Sequence, residues 1–394
     1  MKTAGIICEY NPFHFGHLGH IEKTRSNIGE NTAIVCVMSS NYVQRGDFAV
    51  FNKHARAKAA ILNGADLVLE LPTPFVLMSA EGFANAGVCL LNALSVCDYL
   101  SFGSEANDII LLQEAADMII TEKADMITKE QLDKGDSYAT AQQHAANTLM
   151  GKNASVFKLP NNVLGIEYLK ALKKTKSTMI PMTMNRTGGN HDSDTGYSAS
   201  AVRKKLRCND IPYDLIPETA IEIFKSEISA GRGPVSIKNA EQAILSRLRS
   251  IKDYSKILGI SEGLEQRFMK HASNEPTVEL IMQKIKTKRY PFSRIRRALF
   301  NAILGIEKEY ATITPPYIRI LAMNETGTSI LKKAQKTAKL PIITKPASVK
   351  SINEESIKLF NSEASTTDFY VLAYQNENDR HGNQEWRKSP IILN

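Results

Sequence analysis

The chain has 394 residues, of which 43% are hydrophobic and 23% are charged, and its formal net charge is +8. Its length exceeds what one typical core holds, which favours two domains and excludes a small single-core module. No apolar run approaches the length of a membrane span, so we expect no membrane-spanning segment. The positive charge suits a polyanionic partner such as a nucleic acid.

The five cysteines are scattered and form neither a CxxC pair nor a zinc-ligand spacing. Several of them lie in apolar runs typical of buried strands. This pattern indicates reduced thiols in a cytoplasmic protein. Because the first residues enter an apolar run at once, we expect no secretory signal peptide.

Short apolar runs alternate with helical patterns through the first half of the chain. The runs predict five strands at residues 3–8, 32–38, 66–71, 98–102 and 177–184. Helical patterns between them cover residues 53–63, 79–93, 107–121 and 131–149. Near-continuous apolar strands separated by helices indicate an α/β fold with a parallel sheet covered on both faces. In such a sheet, ligands bind at the carboxyl ends of the strands.

The alternation stops at about Ile211, and the rest of the chain is mostly helical in pattern. Helices are predicted there at residues 218–229, 239–249, 262–271, 277–286 and 292–303. We therefore predict a Rossmann-like domain over residues 1–210 and a mostly helical, basic domain over residues 211–394. Two short runs, Tyr317–Ala322 and Pro341–Thr344, are possible strands. The polar stretch Gln375–Pro390 is predicted to be a tail or a surface loop. The oligomeric state stays open.

The turn after the first predicted strand carries the strongest functional signal. It contains His14, Gly16 and His17 in an HxGH pattern at the start of a helix. Glycine lets the backbone approach a phosphate, and free N–H groups at a helix start favour an anion. Two histidines could donate to phosphate oxygens and offset the charge of a leaving pyrophosphate. A satisfied pair of surface histidines is the alternative interpretation.

Further polar clusters follow the predicted strands at the same edge of the sheet. The loop after strand two contains Ser39, Gln44 and Arg45, and Lys53 begins the next helix. Such a loop suits recognition of an anion or a small acid, although an ordinary hydrophilic connection has the same composition. Gly103, just past strand four, allows close approach of a flat ligand or forms a simple turn.

Later clusters offer a candidate helix cap and two more candidate anion contacts. Asn161 and Asn162 precede a predicted helix, and either could cap it. Arg186 follows strand five beside paired glycines. Ser198 and Arg203 place a hydroxyl at a helix start with a guanidinium one turn later, which suits a phosphate or a plain capped helix.

Seven basic residues crowd between Lys284 and Arg297 without an acidic residue, and Tyr290 and Phe292 lie among them. A cluster of one sign with aromatic residues is typical of RNA backbone contact and base stacking. We interpret five of the seven as candidate RNA contacts: Lys288, Arg289, Arg294, Arg296 and Arg297. A solvated surface remains the alternative.

These motifs carry a family resemblance. The HxGH turn resembles the signature of the nucleotidyltransferase superfamily. The longer string from Glu9 to His17, EYNPFHFGH, resembles the bacterial tRNA(Met) cytidine acetate ligase family, with Phe15 in place of the polar residue usual there. The segment from Ser198 to Arg203 is similar to the triphosphate-binding motif ISSTxxR, although Ala199 and Ala201 depart from it. The resemblance is strongest over residues 1–105 and weaker beyond about 340.

The resemblance implies an ATP-dependent ligase that places an acetyl group from acetate on the wobble cytidine of elongator tRNA(Met). It implies catalytic roles for His14, His17 and Arg186, and an acid or tRNA pocket at Ser39, Gln44, Arg45 and Lys53. The implied ATP-binding residues are Ile7, Cys8, Glu9, Tyr10, Asn11, Pro12, Phe13, His14, Phe15, Gly16, His17, Leu18, Gly19, His20, Gly103, Asn161, Asn162, Arg186, Ser198 and Arg203. Mg²⁺ is expected with ATP, but no carboxylate cluster demands a fixed metal.

Two other functions fit part of the pattern. A small-molecule adenylyltransferase would share the HxGH turn but seldom needs a long helical domain and a basic cluster. A catalytically silent tRNA-binding protein would keep the basic cluster and release no pyrophosphate. A class I aminoacyl-tRNA synthetase is disfavoured because no KMSKS-like segment is present.

Overall fold

A large mixed sheet organises the molecule, which a computed structural model describes over residues 1–185, 199–208 and 210–393. The described strands are β1 (Thr3–Cys8), β2 (Ala33–Ser39), β3 (Tyr42–Val43), β4 (Asp47–Phe48), β5 (Leu67–Leu71), β6 (Tyr99–Ser104), β7 (Ile180–Asn185), β8 (Ile318–Met323), β9 (Ile342–Ile343) and β10 (Ile391–Ile392).

Helices cover this sheet and fill most of the second half of the chain. The described helices are α1 (Phe15–Ile28), α2 (Lys53–Leu62), α3 (Thr73–Val76), α4 (Ala80–Leu94), α5 (Ile109–Ile119), α6 (Glu122–Asp133), α7 (Tyr138–Met150), α8 (Pro160–Lys174), α9 (Ala199–Arg207), α10 (Glu218–Ser229), α11 (Glu241–Ser250), α12 (Leu264–Asn274), α13 (Val278–Ile285), α14 (Phe292–Leu304), α15 (Glu325–Thr337) and α16 (Glu354–Val371).

The strand order of the sheet fixes where a ligand can bind. The order is β10-β8-β5-β2-β1-β6-β7, with β9 paired to β8. From β1 the chain first adds β2 and β5 on one side, and then β6 and β7 on the other, all in parallel. The chain therefore reverses its winding direction at β1. A crevice opens at such a switch point, outside the carboxyl ends of β1 and β6.

The central strands form because their residues suit burial on both faces. All seven residues of β2 are buried, and so are all five of β5. Successive side chains of β2 enter two different cores: Val35 packs toward the side of α4 and α8, and Cys36 toward the side of α2 and α10. This burial on both faces produces the continuous apolar runs seen in the sequence and confirms the predicted α/β class.

The first half of the chain folds close to its prediction. Each of the five predicted strands is present, with ends shifted by a few residues. The helical region predicted at residues 131–149 is divided between α6 and α7, because Gly135 has a φ of +88° and ends the first helix.

The second half differs from the prediction in its relation to the sheet. The five helices α10 to α14 lie where helical patterns predicted them, but β8, β9 and β10 join the same sheet. β8 pairs antiparallel with β5, and β10 and β9 pair parallel with β8. The stretch Gln375–Pro390 is also more than a loose tail, since Trp386 packs on Phe360 with ring centroids 4.5 Å apart.

A group of buried ionic side chains joins the late part of the chain to this sheet. We call it the buried charge cluster: Lys53, Glu70, Arg319, Glu363 and Glu385. Lys53 Nζ contacts Glu70 closely and lies 2.7 Å from Glu385 and 3.9 Å from Glu363. Arg319 bridges Glu70 and Glu385. Each side chain in the cluster is at most 2% exposed.

Over residues 1–185, 199–208 and 210–393, no helix combines the length and the apolar character needed to span a bilayer.

Candidate active site

A cavity of about 560 Å³ lies at the switch point of the sheet. The turn after β1, the end of β6 and the first residues of α8 form its inner part. The hairpin of β3 and β4, α9 and the start of α14 also contribute to its wall. Its volume is within the usual range for sites that bind small molecules and cofactors.

Two histidines at the start of α1 face this cavity together. His14 is the N-cap residue, and its Nδ1 accepts a hydrogen bond from Gly16 N at 3.0 Å. His17 Nδ1 accepts from His14 N at 3.3 Å, and the two ring centroids are 3.8 Å apart. Because Nδ1 of each ring accepts a backbone hydrogen, the proton of the neutral ring is on Nε2. Each Nε2 is thus a donor suited to a phosphate oxygen.

The same face of α1 adds His20 and Lys23 to the cavity wall. His20 Nε2 lies 2.9 Å from Ser101 Oγ, which anchors its ring to β6. Lys23 Nζ lies 3.5 Å from the carbonyl oxygen of Asn185 at the end of β7. The sequence prediction omitted Lys23, although its spacing of three residues from His20 could have indicated it.

A buried arginine, Arg56, and a half-buried one, Arg203, hold the segment between β1 and α1. Arg56 of α2 donates to the carbonyl oxygens of Glu9, Ser39 and Ser40. Arg203 of α9 donates to Asn11 O at 2.9 Å. These bonds satisfy backbone acceptors that the turn would otherwise leave buried and unpaired. Arg203 also lines the cavity, and burial lowers its pKa below the ordinary value of an arginine.

The hairpin of β3 and β4 docks on α14 and brings it to the cavity. Arg296 donates to Gly46 O at 3.0 Å and to Asp47 Oδ2 at 2.6 Å. Gly46 has a φ of +74°, and a Cβ there would lie 2.5 Å from the α14 backbone. Glycine is therefore required, which explains the last residue of the Gln-Arg-Gly sequence in this turn. Gln44 and Arg45 both line the cavity, and Arg45 is exposed.

The junction of β6 and α8 is closed by a reciprocal set of hydrogen bonds. Glu105 accepts from the backbone N–H groups of Asn161 and Asn162, at 3.2 and 2.8 Å. The Asn162 side chain accepts from the N–H groups of Glu105 and Ala106, at 3.0 and 2.9 Å. Asn162 is 1% exposed and does not line the cavity, so its role is to position this junction. Gly103 and Asn161 do line the cavity.

An apolar wall completes the site, and the sequence prediction missed it. It consists of Phe83 of α4, Phe102 of β6, and Leu164 and Tyr168 of α8. Apolar residues on helices are usually core residues, so nothing in their pattern separates a cavity wall from the interior. Phe292 and Ser293, at the start of α14, were also not predicted to line it.

The other predicted site residues fall into three groups. Within the predicted segment 7–20, Ile7, Cys8, Glu9, Tyr10, Asn11, His14, Gly16, His17 and His20 line the cavity. Its remaining members, Pro12, Phe13, Phe15, Leu18 and Gly19, do not, and Phe13 is a core residue. Arg186 and Ser198 lie outside the described residues, whereas their neighbours Asn185 and Ala199 line the cavity.

Ser39 and Lys53 do not line the cavity, contrary to the predicted acid pocket. Ser39 is fully buried at the end of β2, and Lys53 belongs to the buried charge cluster. Burial opposes the charged form of Lys53, but Glu385 and Glu70 hold its pKa above the ordinary value of a lysine. Three carboxylates near one ammonium leave no place for a further acid.

The basic residues of the second half are less free than the sequence indicated. Their acidic partners come from other parts of the chain: Lys288 lies 3.0 Å from Asp136, and Glu262 contacts both Arg289 and Arg294, at 3.5 and 3.2 Å. Arg296 is bound to Asp47 and lines the cavity. Arg297 lies in a partly buried site, where burial lowers its pKa to about 10.

The charges that line the cavity favour an anionic ligand. Of the residues that the structure describes, four cationic side chains and only two carboxylates line the cavity. The cations are Lys23, Arg45, Arg203 and Arg296, and the carboxylates are Glu9 and Asp47. Together with three histidines on α1, these cations are arranged to receive a polyanion such as a triphosphate. Among the described residues, no group of three or more His, Cys, Asp or Glu side chains could hold a metal ion.

An HxGH turn at the switch point of a parallel sheet, facing a cationic cavity, is the arrangement of a nucleotide-binding transferase domain. In agreement, the model of the family described as HIGH Nucleotidyl Transferase matches residues 1–385. Solved structures agree as well: Thermotoga maritima TmcAL bound with alpha-thio ATP superimposes with a TM-score of 0.93, at 35% identity and full coverage of both chains. The apo form of TmcAL gives a TM-score of 0.94 at 34% identity, again over both full chains.

Curated relatives show to which group of enzymes within this class the chain is similar. The protein from Acetivibrio thermocellus is 36% identical over 100% of both chains. That from Caldanaerobacter subterraneus is 38% identical over 95% of this chain and 96% of its own. Both are named tRNA(Met) cytidine acetate ligase. The chain belongs to the HIGH nucleotidyl transferase family and, within it, to the tRNA(Met) cytidine acetate ligases.

Proposed function

We propose that this protein is a ligase that uses ATP and acetate to acetylate the wobble cytidine of elongator tRNA(Met), in the cytoplasm. The observation that carries the proposal is the cationic cavity around His14 and His17, in a chain that matches the named ligases over its full length. The ATP analogue named for the Thermotoga maritima relative supports ATP as the substrate of this cavity.

The first step activates acetate. A carboxylate oxygen of acetate attacks the α-phosphorus of ATP, the bond to the β-phosphate oxygen breaks, and pyrophosphate leaves with the negative charge. His14 and His17 would donate from Nε2 to phosphate oxygens as that charge develops. Lys23 and Arg203, and Arg186 and Ser198 as predicted from the sequence, would hold the phosphates. The product is acetyl-adenylate.

The second step transfers the acetyl group. The exocyclic N4 amine of the cytidine attacks the acetyl carbonyl carbon, and AMP leaves. Gly103 and Asn161 would hold the nucleotide at β6 and α8, while Gln44 and Arg45 face the acyl side. Lys288, Arg289, Arg294 and Arg296 would contact the tRNA. Mg²⁺ is expected to accompany ATP through its phosphates, since the described residues offer no fixed metal site.

A direct experiment separates this function from its alternatives. Purified protein is incubated with ATP, Mg²⁺, acetate and a tRNA(Met) transcript, and pyrophosphate and N4-acetylcytidine are followed together. The control is a transcript with uridine at the wobble position. We expect both products with the cytidine transcript and no acetylated nucleoside with the control.

The other outcomes each contradict a part of the proposal. A stable adenylylated small molecule without acetylated RNA would favour the adenylyltransferase. Tight tRNA binding with no pyrophosphate release under any condition would favour the silent binding protein.

A further inference from the structure

Glu9 precedes the histidine pair in the sequence and lines the same cavity. It follows the last residue of β1. Its Oε1 accepts a hydrogen bond from Gln44 N, in the β3–β4 turn, at 2.6 Å. No described residue donates a hydrogen bond to its Oε2, and no described cation lies within ion-pair distance of its carboxylate. One oxygen is therefore oriented by the protein, and the other is available to a ligand.

The backbone around Glu9 is held firmly. Arg56 donates to the Glu9 carbonyl, Arg203 donates to the Asn11 carbonyl, and Asn11 Oδ1 accepts from Val50 N at 2.8 Å. Tyr10 adopts a φ of +45°, a conformation that a bulky residue rarely takes. Strained backbone held by several partners is typical of positions where a side chain must be aimed.

The electrostatic setting of Glu9 is unusual for a residue in a triphosphate site. An anionic carboxylate repels phosphate oxygens, so it is a poor contact for the anionic part of ATP. Burial raises the pKa of Glu9 above its ordinary value, although Gln44 N–H, Arg203, Arg56 and Arg45 oppose this shift. A partly desolvated carboxylate suits a neutral ligand group that carries N–H or O–H donors.

The two steps of the reaction differ in their need for such a group. Acetate is already ionised when it attacks ATP, so activation releases no proton. The amine in the second step carries two hydrogens, and one must leave as the N–C bond forms. A base is therefore needed only for transfer.

Building on the function proposed above, we propose that Glu9 is the general base for transfer, with Oε2 accepting a proton from the N4 amine of the cytidine. As N4 bonds to the acetyl carbon, the bond from that carbon to the AMP phosphate oxygen breaks. The amine proton passes to Glu9 and then to solvent, and AMP leaves as the anion. The hydrogen bond from Gln44 N to Oε1 keeps Oε2 directed into the cavity.

The test compares Glu9→Gln with Glu9→Asp. Glutamine keeps an oxygen that can accept from Gln44 N but cannot act as a base, and aspartate keeps the carboxylate. Two rates are measured: acetate-dependent ATP–pyrophosphate exchange without tRNA, and single-turnover acetylation of tRNA by excess enzyme. We expect Glu9→Gln to lower the transfer rate by about 10²-fold or more, and to lower exchange far less.

The pH profile of transfer provides a second readout. A base must be deprotonated, so the wild-type rate should fall as the pH drops below the pKa of Glu9. Because burial raises that pKa, the fall should occur at a higher pH than for an exposed glutamate. Glu9→Asp should keep an acid limb at a reduced rate, and Glu9→Gln should lose it. Arg45, Arg56, Arg203 and Tyr168 interact electrostatically with Glu9. The other titratable groups near it in the cavity wall are Cys8, His14 and His17.

Several outcomes would overturn this assignment. Transfer by Glu9→Gln at the wild-type rate would show that Glu9 is not the base. Equal losses in exchange and transfer would instead assign Glu9 to ATP binding. Glu81→Gln, on an exposed residue of α4 outside the cavity wall, is the control and should match wild type in both assays. If the wild-type enzyme makes no acetylcytidine, the proposed function itself fails.

Discussion

Charged side chains are concentrated in two places, the buried charge cluster and the cavity. The two differ in how many of these charges are paired with opposite charges. In the buried charge cluster, each cation contacts at least two carboxylates, and the cluster is closed to solvent. In the cavity, Arg45 is exposed and forms no ion pair with any described residue. Glu9 accepts one hydrogen bond at Oε1, and no described residue donates to its Oε2. The charges of the first group are paired with one another and closed to any ligand, whereas those of the second can still bind one.

This difference shows what distinguishes a structural charge from a functional one. Lys53 and Arg45 belong to the same polar region of the sequence, and both were predicted to meet a substrate. Residues far along the chain, Glu363 and Glu385, decide that Lys53 is structural. Burial, and to a smaller extent the nearby charge of Glu70, raise the pKa of Glu363 well above its ordinary range. This carboxyl group can therefore remain neutral beside its neighbours.

The largest effect should come from breaking the cluster. Lys53→Met leaves Glu70 and Glu385 buried with one cation fewer, which should lower the free energy of unfolding by about 3–5 kcal/mol. Urea denaturation measures it. Lys58→Met, on an exposed residue of the same helix, should change stability by less than about 0.5 kcal/mol. If the Lys53→Met protein were as stable as wild type but had a raised KM for acetate, Lys53 would bind the acid substrate and would not be structural.

A smaller effect, on activity rather than stability, should come from the histidine pair. Asparagine is a good N-cap residue, so His14→Asn keeps the start of α1 while removing the Nε2 donor. Acetate-dependent pyrophosphate exchange should fall by about 10²- to 10³-fold, with an unchanged melting temperature. Gln143→Asn on α7 provides a control substitution away from the cavity. Exchange close to the wild-type rate would remove His14 from catalysis.

The smallest effect should come from exposed charges. Lys288→Ala with Arg289→Ala removes two surface cations, with side chains 84% and 44% exposed. The slope of log binding constant against log salt concentration should become shallower by about 0.7 for each phosphate of single-stranded RNA that the variant no longer neutralises. Lys332→Ala with Lys333→Ala, on exposed residues of α15, is the matched control. If both double variants gave the same slope, the tRNA would not contact Lys288 and Arg289.

The neighbouring pair Arg296 and Arg297 offers a less direct test of the same surface. Arg296 holds the β3–β4 hairpin through Gly46 and Asp47, and Arg297 is partly buried. Replacing them would disturb the cavity wall as well as any RNA contact. Exposure is therefore the criterion that makes a basic residue a clean test of RNA binding.

Local patterns sufficed to predict the parallel half of the sheet and the HxGH turn. Strands buried on both faces produce continuous apolar runs, and the order of strands and helices places the turn at a known edge. The helices from α10 to α14 could also be predicted from the sequence. Their amphipathic faces repeat at the helical period.

Features that depend on distant partners were not predictable. The helix α16 was missed because it buries polar residues, including Glu363, Thr366 and Thr367, and so lacks a clear apolar face. The pairing of β8 with β5, and the role of Asn162 in closing the β6–α8 junction, arise only in three dimensions. The apolar cavity wall has the same composition as the core.

The antiparallel addition of β8 to β5 also bears on how the protein is made. The nucleotide-binding half emerges first during synthesis, yet its β5 edge is covered by strands translated much later. Until then that edge is open to other chains, and Lys53 lacks two of its carboxylate partners. A nascent or interrupted chain would thus be recognisable to chaperones and proteases as incomplete. The sheet and the buried charge cluster are thus completed only by residues that are translated last.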